Sequence, residues 1–173
     1  MTPDTPRLSA GSPFPNLTWP QTDGGVLTPA TMTGWRLLVV YRGAHCPLCR
    51  SYLKTLERLQ ADFAEAGITV AALSADPQER AVKEANAQGW TFPVGYDLSP
   101  QQMRTLGLYI SSPRSPEETD RNFAEPGLFV LNPQAAIQIV DVSNAPFARP
   151  DLEGLLNGLK FILAKDYPIR GTA

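Results

Sequence analysis

The chain has 173 residues, of which 43% are hydrophobic and 18% charged, the size and composition of one globular domain. Its net charge is −2, so the chain lacks the excess of basic residues with which proteins bind nucleic acid or anionic membranes. No apolar run approaches the roughly 20 residues of a membrane span, and residues 1–15 have no secretory signal pattern. We therefore expect a single cytoplasmic domain over residues 1–173, without nucleic-acid or membrane partners.

The first third of the chain predicts an arm, a strand and a helix. An N-terminal stretch containing Pro3 and Pro6 leads to Asp23-Gly24-Gly25, which predicts an extended arm ending in a hairpin turn. Residues 37–41 are apolar and rich in β-branched side chains, which predicts a buried strand at the sheet centre. Residues 48–66 carry apolar side chains at helical spacing before Gly67, which predicts an amphipathic helix.

The middle of the chain continues to alternate strand and helix patterns. Residues 68–73 predict a second buried strand, and residues 77–89 predict a helix that begins at proline and ends at glycine. Residues 92–96 predict a short strand and residues 99–107 a brief helix. Residues 111–126 contain three prolines and no periodicity, so we predict a long surface loop there.

The C-terminal part predicts a hairpin and a last helix. Residues 128–131 and 137–142 are strand-like runs separated by Asn132-Pro133-Gln134, and residues 152–163 carry apolar side chains at helical spacing. Strands that alternate with helices before a terminal hairpin and helix indicate an α/β fold. We expect a mixed sheet of about five strands with helices on both faces.

Both cysteines lie in one tetrapeptide, Cys46-Pro47-Leu48-Cys49, between the predicted central strand and its helix. Pro47 suits the first helical position, so the Cys46 thiol lies at the helix N-terminus, where free N–H groups favour the nucleophilic thiolate. Helical spacing puts the two Cα atoms about 5 Å apart, within reach of a disulfide. The pattern predicts reversible redox chemistry in which Cys46 attacks and Cys49 resolves.

Nearby cations should add to the helix dipole. A fall of two units in the pKa of Cys46 requires about 2.7 kcal/mol, whereas a helix dipole usually contributes about 0.3 to 1 kcal/mol. We prefer Arg42 as the cation because it lies at the same strand end. His45 and Arg50 are the other local candidates, and His45 could equally be a partly exposed loop side chain.

Non-catalytic interpretations of the dithiol compete with redox chemistry. The cysteines could be unreactive core residues. Only His45 could join the two sulfurs in a tetrahedral metal site, whose fourth ligand would be missing, so we expect no metal and no cofactor. A redox sensor without turnover, or a module holding monovalent copper between two thiolates, is the alternative from another functional class.

The sequence resembles a known family over nearly its whole length. The likeness is carried by G-S-P-F-P at residues 11–15, the strand at 37–41, the C-P-L-C motif, P-G-L-F-V-L-N at 126–132, P-F-A-R-P at 146–150 and A-K-D-Y-P at 164–168. These segments are similar to the peroxiredoxin-like branch of the AhpC/TSA redoxins. The resemblance implies a thioredoxin-like fold, peroxide or disulfide chemistry at Cys46, Cys49 as the resolving thiol, and a thioredoxin- or glutathione-type reductant, and it allows a homodimer.

Three positions depart from the family pattern. Typical peroxiredoxins have threonine or serine three residues before the attacking cysteine and proline four residues earlier, where this chain has Gly43 and Val39. They also have an arginine opening a later strand, where this chain has Pro126, as thioredoxins have a cis-proline. We therefore predict that Pro126 faces the dithiol through a cis peptide bond with Glu125.

The leading functional prediction is a thiol peroxidase with antioxidant activity. The alternative enzyme is a dithiol-disulfide oxidoreductase acting on protein or small-molecule disulfides, which the CPxC spacing and Pro126 favour. Arg114 and Arg121 could reach the thiolate in place of the missing family arginine, but we expect both to be solvated loop charges.

Overall fold

The computed structural model describes residues 7–173, so the start of the predicted arm, with Pro3 and Pro6, lies outside the described residues. In chain order the elements are β1 (Trp19–Pro20), β2 (Val26–Leu27), a 3-10 turn (Pro29–Thr31), β3 (Trp35–Val40), α1 (Pro47–Glu65), β4 (Ile68–Leu73), α2 (Gln78–Gln88), β5 (Val94–Gly95), α3 (Pro100–Thr105), β6 (Ile110–Ser111), β7 (Phe123–Ala124), β8 (Gly127–Leu131), β9 (Ile137–Val142) and α4 (Leu152–Lys165).

Five of these strands form the central mixed sheet, in the order β5-β4-β3-β8-β9. Strand β3 pairs parallel with β4 and antiparallel with β8, which confirms its predicted place at the centre. The predicted hairpin of β8 and β9 is also present. Because β3 and β4 run in parallel, their carboxyl ends bring residues 41–46 and 74–76 to the same sheet edge, the usual location of sites in such sheets.

Two cores cover the two faces of the sheet. Leu37 and Val39 of β3 point toward α1 and α4, whereas Leu38 and Val40 point toward α3 and the β1–β2 hairpin. Successive strand residues face opposite sides, so a strand between two cores must be apolar throughout. The predicted α/β fold, with helices flanking both faces, is confirmed.

Most helix ends follow the predicted signals. Pro47 begins α1, which ends shortly before Gly67, a residue with a φ of +82°. Ser99 forms a capping box with Gln102 at the start of α3. The arm ends in the antiparallel β1–β2 hairpin, with Gly24 at a φ of +90° in its turn. Within residues 7–173, no helix combines the length and apolarity needed to cross a bilayer.

The predicted long loop at residues 111–126 is partly wrong. Strands β6 and β7 form an antiparallel pair at its two ends, and Phe123 and Glu125 are each only 2% exposed. Each strand is two residues long, so neither produces the alternation by which strands are recognised in a sequence. The segment is anchored in the core at both ends.

The predicted cis bond before Pro126 is wrong, because the described residues contain no cis peptide bond. The Glu125 N–H donates a hydrogen bond of 2.8 Å to the Tyr109 carbonyl oxygen, and the Ser143 N–H donates one of 3.0 Å to the Pro126 carbonyl oxygen. These bonds hold an extended path from β7 into β8. A trans bond continues that path, since the chain makes no turn at Pro126.

Candidate active site

The cysteine pair lies where β3 gives way to α1. Cys46 is the N-cap of the helix, and the backbone N–H of Cys49 donates a hydrogen bond of 3.2 Å to the Cys46 Sγ atom. Both residues are free thiols, and they are only 3% and 0% exposed. The Cys46 sulfur therefore occupies the helix N-terminus predicted for it, with Pro47 as the first helical residue.

The two thiols have opposite protonation behaviour. A hydrogen bond from the Cys49 side chain, aided by the Cys49 N–H, Arg42 and Arg149, lowers the pKa of Cys46 from 9.0 to about 6 against the opposing effect of burial. The hydrogen bond to Cys46 and burial hold the pKa of Cys49 far above its ordinary value. At neutral pH, Cys46 is a thiolate and Cys49 keeps its proton.

Arg42 is close enough to lower the pKa of Cys46, but an ion pair with a carboxylate partly neutralises its charge. Its Nε and Nη2 atoms donate hydrogen bonds of 2.9 and 2.7 Å to the two carboxylate oxygens of Glu125. The Ser111 hydroxyl donates a third bond to Glu125, and the guanidinium lies 5.2 Å from the Phe123 ring centroid. Arg42 thus ranks behind the Cys49 hydrogen bonds in lowering the pKa of Cys46.

A second cation, which was not predicted from the sequence, comes from the segment before α4. The Arg149 guanidinium lies 4.2 Å from the ring centroid of Tyr52 on α1. It lowers the pKa of both Cys46 and Cys49 through its positive charge. No spacing in the sequence could have identified Arg149, because only tertiary packing brings it to the helix that carries the thiols.

A buried carboxylate explains why residue 43, in the junction loop that joins β3 to α1 (residues 41–46), is glycine. The φ of Gly43 is +133°, and a Cβ atom there would lie 2.7 Å from the Asp76 Oδ1 atom. Asp76 is 2% exposed, accepts a hydrogen bond of 2.8 Å from the Ala44 N–H and lies 3.3 Å from Arg80. Asp76 therefore occupies the space that a side chain at residue 43 would need. Its position just after β4 was the signal in the sequence that could have identified it.

His45 and Arg50 are directed to partners other than the Cys46 sulfur. The His45 ring packs at 63° against Phe123, with centroids 4.7 Å apart, and neither buried ring nitrogen has a hydrogen-bond partner within residues 7–173. Burial lowers the pKa of His45, so its ring is neutral at pH 7. Arg50 forms an ion pair of 2.8 Å with Glu84.

The other residues considered for the site are Pro126, Arg114 and Arg121. Pro126 precedes Gly127, which pairs with Val40, so the proline lies at the sheet edge that carries the dithiol. Arg114 lines the cleft at Cys46, but its side chain is 87% exposed and pairs with Glu118. Arg121 pairs with Asp120 on the surface. Both loop arginines are solvated, as expected.

An open cleft of about 450 Å³ leads to Cys46. Its walls include Arg42, His45, Pro47, Leu48, Arg114 and Pro146. Leu48 is 48% exposed, whereas Cys46 lies recessed beside it. A small molecule can enter this cleft more easily than the surface of a folded protein can.

Comparisons with known proteins place the chain in a family. Residues 10–140 match the model of the AhpC/TSA family. The chain is 32% identical over 106 residues to a Mycobacterium tuberculosis protein whose name assigns it provisionally to the peroxiredoxins, covering 61% of this chain and 68% of the relative. It is 26% identical over 106 residues to the thiol-disulfide oxidoreductase ResA of Bacillus anthracis, covering 61% of each chain.

A solved structure shares the fold. The crystal structure of a peroxiredoxin-like protein from Aquifex aeolicus matches with a TM-score of 0.76 and 14% identity, covering 91% of this chain and 89% of that one. The mixed sheet with flanking helices is thus a thioredoxin-like fold, as the sequence resemblance implied. Because the family model spans most of the sequence, the chain belongs to the AhpC/TSA family of peroxiredoxin-like oxidoreductases.

Proposed function

We propose that this protein is a thiol peroxidase in which Cys46 reduces a hydroperoxide and Cys49 resolves the oxidised product. The observation that carries the proposal is the hydrogen bond of 3.2 Å from the Cys49 N–H to the Cys46 sulfur at the start of α1. The hydrogen bond from the Cys49 side chain and this one from its N–H lower the pKa of Cys46, while the hydrogen bond to Cys46 and burial keep Cys49 protonated. The two thiols therefore have different roles before any substrate arrives.

In the first step, the Cys46 thiolate attacks the terminal oxygen of the hydroperoxide. An S–O bond forms and the O–O bond breaks, so the sulfur is oxidised by two electrons to a sulfenic acid. The peroxide is reduced to an alcohol or, for hydrogen peroxide, to water after the leaving oxygen takes up a proton. The helix N–H groups that held the thiolate must release it during the attack.

In the second step, the Cys49 sulfur attacks the sulfenic sulfur of Cys46. An S–S bond forms, the S–O bond breaks, and the departing hydroxide leaves as water with the proton that Cys49 gives up. An external thioredoxin-type dithiol, or two glutathione-type thiols, would reduce the Cys46–Cys49 disulfide to two thiols and would itself be oxidised to a disulfide. The net reaction consumes one hydroperoxide and one external pair of thiols per cycle.

The recessed thiol favours a small substrate. Cys46 is 3% exposed behind Pro47 and Leu48, which project into solvent. A hydroperoxide group can enter such a cleft end-on, whereas a disulfide on a folded protein needs a more accessible sulfur for in-line attack. The peroxiredoxin name of the Mycobacterium tuberculosis relative supports the same chemistry.

Disulfide exchange is the second candidate, and Gly43 is the observation that favours it. No hydroxyl lies at the position where the family resemblance expects threonine or serine, and Asp76 occupies the space that a side chain there would need. In this reaction the Cys46 thiolate would attack an S–S bond, form a mixed disulfide and release one thiol. Cys49 would then displace the second thiol. The ResA relative is named as a thiol-disulfide oxidoreductase.

The deciding experiment is stopped-flow oxidation of the reduced protein by hydrogen peroxide and by an organic hydroperoxide, with mass spectrometry of the product. We expect fast formation of a Cys46–Cys49 disulfide with one equivalent of oxidant, and none in Cys46→Ser. Oxidation no faster than that of a free cysteine would reject the peroxidase. Rapid reduction of a small-molecule disulfide by the same sample would then support the second candidate.

A further inference from the structure

Arg149 is a half-buried cation in the segment before α4. Within residues 7–173 it forms no ion pair, and its buried Nη1 atom has no hydrogen-bond partner. Arg42 and Arg50, the other arginines near the thiols, are paired with Glu125 and Glu84. A guanidinium that is partly removed from water usually has a carboxylate partner, so an unpaired one indicates another use of the charge.

Packing holds this guanidinium beside the helix face that carries Cys49. Tyr52 lies three residues after Cys49, which places both side chains on one side of α1. The Arg149 guanidinium stacks 4.2 Å from the Tyr52 ring centroid, and the Tyr52 hydroxyl donates a hydrogen bond of 2.6 Å to the Pro150 carbonyl oxygen. The segment before α4 is thereby fixed on the helix.

The same guanidinium adjoins the core in which Cys49 is buried. Arg149 lines a narrow space with Val39, Pro126 and Asp141, whose carboxylate forms no ion pair with it among residues 7–173. Val39 belongs to the apolar cluster that contains both cysteines. Arg149 therefore lies between solvent and the apolar cluster that buries both cysteines. Its influence on the pKa of both thiols agrees with that position.

The resolving step creates a need for such a charge. Cys49 is fully buried, and a thiolate formed there loses its hydration, which is costly unless a cation is near. Once Cys46 is oxidised, it no longer bears the negative charge that opposes ionisation of Cys49. Burial of the Cys49 sulfur is then the main cost that still opposes formation of its thiolate.

Few other ionisable groups face Cys49. They are Cys46 on the same helix, Tyr41 at the end of β3 and Arg42 in the junction loop, while Asp141 and Asp151 act on the neighbouring Tyr52. Burial raises the pKa of Tyr41, so it stays neutral, and Arg42 is paired. Arg149 is the cation left to favour the Cys49 thiolate.

We propose that Arg149 is the positioning residue of the resolving step, where its charge promotes ionisation of Cys49 for attack on the oxidised Cys46. This role rests on the proposed dithiol function. Cys49 gives up its proton, its sulfur forms the S–S bond, and hydroxide leaves Cys46 as water. Arg149 exchanges no atoms or electrons with either sulfur.

Ionisation of Cys49 can be tested without any peroxide. In the Cys46→Ser background, the pH dependence of the ultraviolet absorbance of the thiolate, taken as the difference from Cys46→Ser/Cys49→Ser, reports ionisation of Cys49 without a reagent having to reach the buried sulfur. We expect Arg149→Gln to move this titration profile to higher pH by at least one unit, and Arg149→Lys to restore most of the change. An Arg149→Gln profile that overlays its parent would overturn the proposal, whatever the peroxidase activity.

Kinetics at pH 8 then separate the two steps in the protein with both cysteines. We expect Arg149→Gln to slow disulfide closure at least tenfold, so that a sulfenic acid accumulates and reacts with dimedone, while sulfenic acid formation changes less than threefold. Arg58→Gln, an exposed substitution on α1, the helix that carries Cys49, is the control and should change neither rate. Equal slowing of both steps would indicate a merely structural role. Absence of sulfenic acid in Cys49→Ser after treatment with peroxide would reject the peroxidase, but it would leave the thiolate titration, which uses no peroxide, unaffected.

Discussion

Two parts of the active site are built in different ways. The β3–α1 junction, residues 40–50, positions Cys46, the proposed nucleophile, through local features: a strand end, a proline at the first helical position and the backbone N–H of Cys49. The segments at 111–126 and 143–150 come from distant parts of the chain and contribute Glu125 and Arg149. The junction creates the thiolate, and the distant segments adjust the charge around it.

The largest effect should come from the junction itself. We expect Cys46→Ser to abolish turnover, because no other free thiol reaches the cleft. Cys49→Ser should keep the first step and stop at a sulfenic acid or mixed disulfide, which mass spectrometry would detect after one equivalent of oxidant. Both substitutions are close in size to cysteine, and circular dichroism controls for folding. Turnover by Cys46→Ser would show that the junction does not contain the nucleophile.

Loss of a distant partner should reduce stability more than it reduces chemistry. We expect Glu125→Gln to lower the free energy of unfolding by about 3 kcal/mol, because it leaves the partly buried Arg42 without its carboxylate. The matched control is Glu153→Gln, which breaks the exposed pair with Arg58 and should cost less than about 1 kcal/mol. Urea denaturation measures both. Equal costs would mean that the buried pair does not anchor the 111–126 segment.

The sequence was sufficient for those parts of the molecule that depend on neighbouring residues. The continuous apolar run of β3 identified the central strand, and Pro47 together with the periodicity of α1 located the helix and its N-terminal thiol. Such patterns repeat along the chain because each element buries a defined face. They led to the α/β fold class, the central place of β3 and the position of the dithiol.

Contacts between distant segments leave no such pattern. Glu125 and Arg149 occur in stretches without periodicity, and nothing in the sequence pairs the first with Arg42 or stacks the second on Tyr52. The wrong prediction of a cis bond at Pro126 came from the likeness to thioredoxins, because no local pattern in the sequence distinguishes a cis from a trans bond there. Gly43 was recognised as a departure from the family, but its cause, the buried Asp76, became visible only in the structure.

The junction also contains a position where a small change should be costly. We expect Gly43→Ala to destabilise the protein by about 2 kcal/mol, because residue 43 has a φ of +133° and its Cβ would meet Asp76 at 2.7 Å. Gly158→Ala in the exposed part of α4 is the control, with open space around its Cβ, and should stabilise by up to about 1 kcal/mol. Thermal unfolding of both variants would measure the difference. Shortening Asp76 to alanine should reduce the cost of Gly43→Ala, and an additive double variant would contradict the proposed clash.

The smallest effect is the pH dependence of the first step, the attack of Cys46 on the hydroperoxide. It also distinguishes most clearly between the β3–α1 junction and the distant segments as the source of the thiolate. With a pKa of about 6 at Cys46, the rate should fall only about twofold between pH 8 and pH 6, since the thiolate is lost below that pKa. A thiol with the ordinary pKa of 9.0 would lose about tenfold per pH unit over the same range. Because the Cys49 thiol donates the strongest of the stabilising hydrogen bonds, Cys49→Ala should move the inflection to higher pH by more than Arg42→Gln does. The reverse order would mean that the distant ion pair, rather than the local helix start, creates the nucleophile.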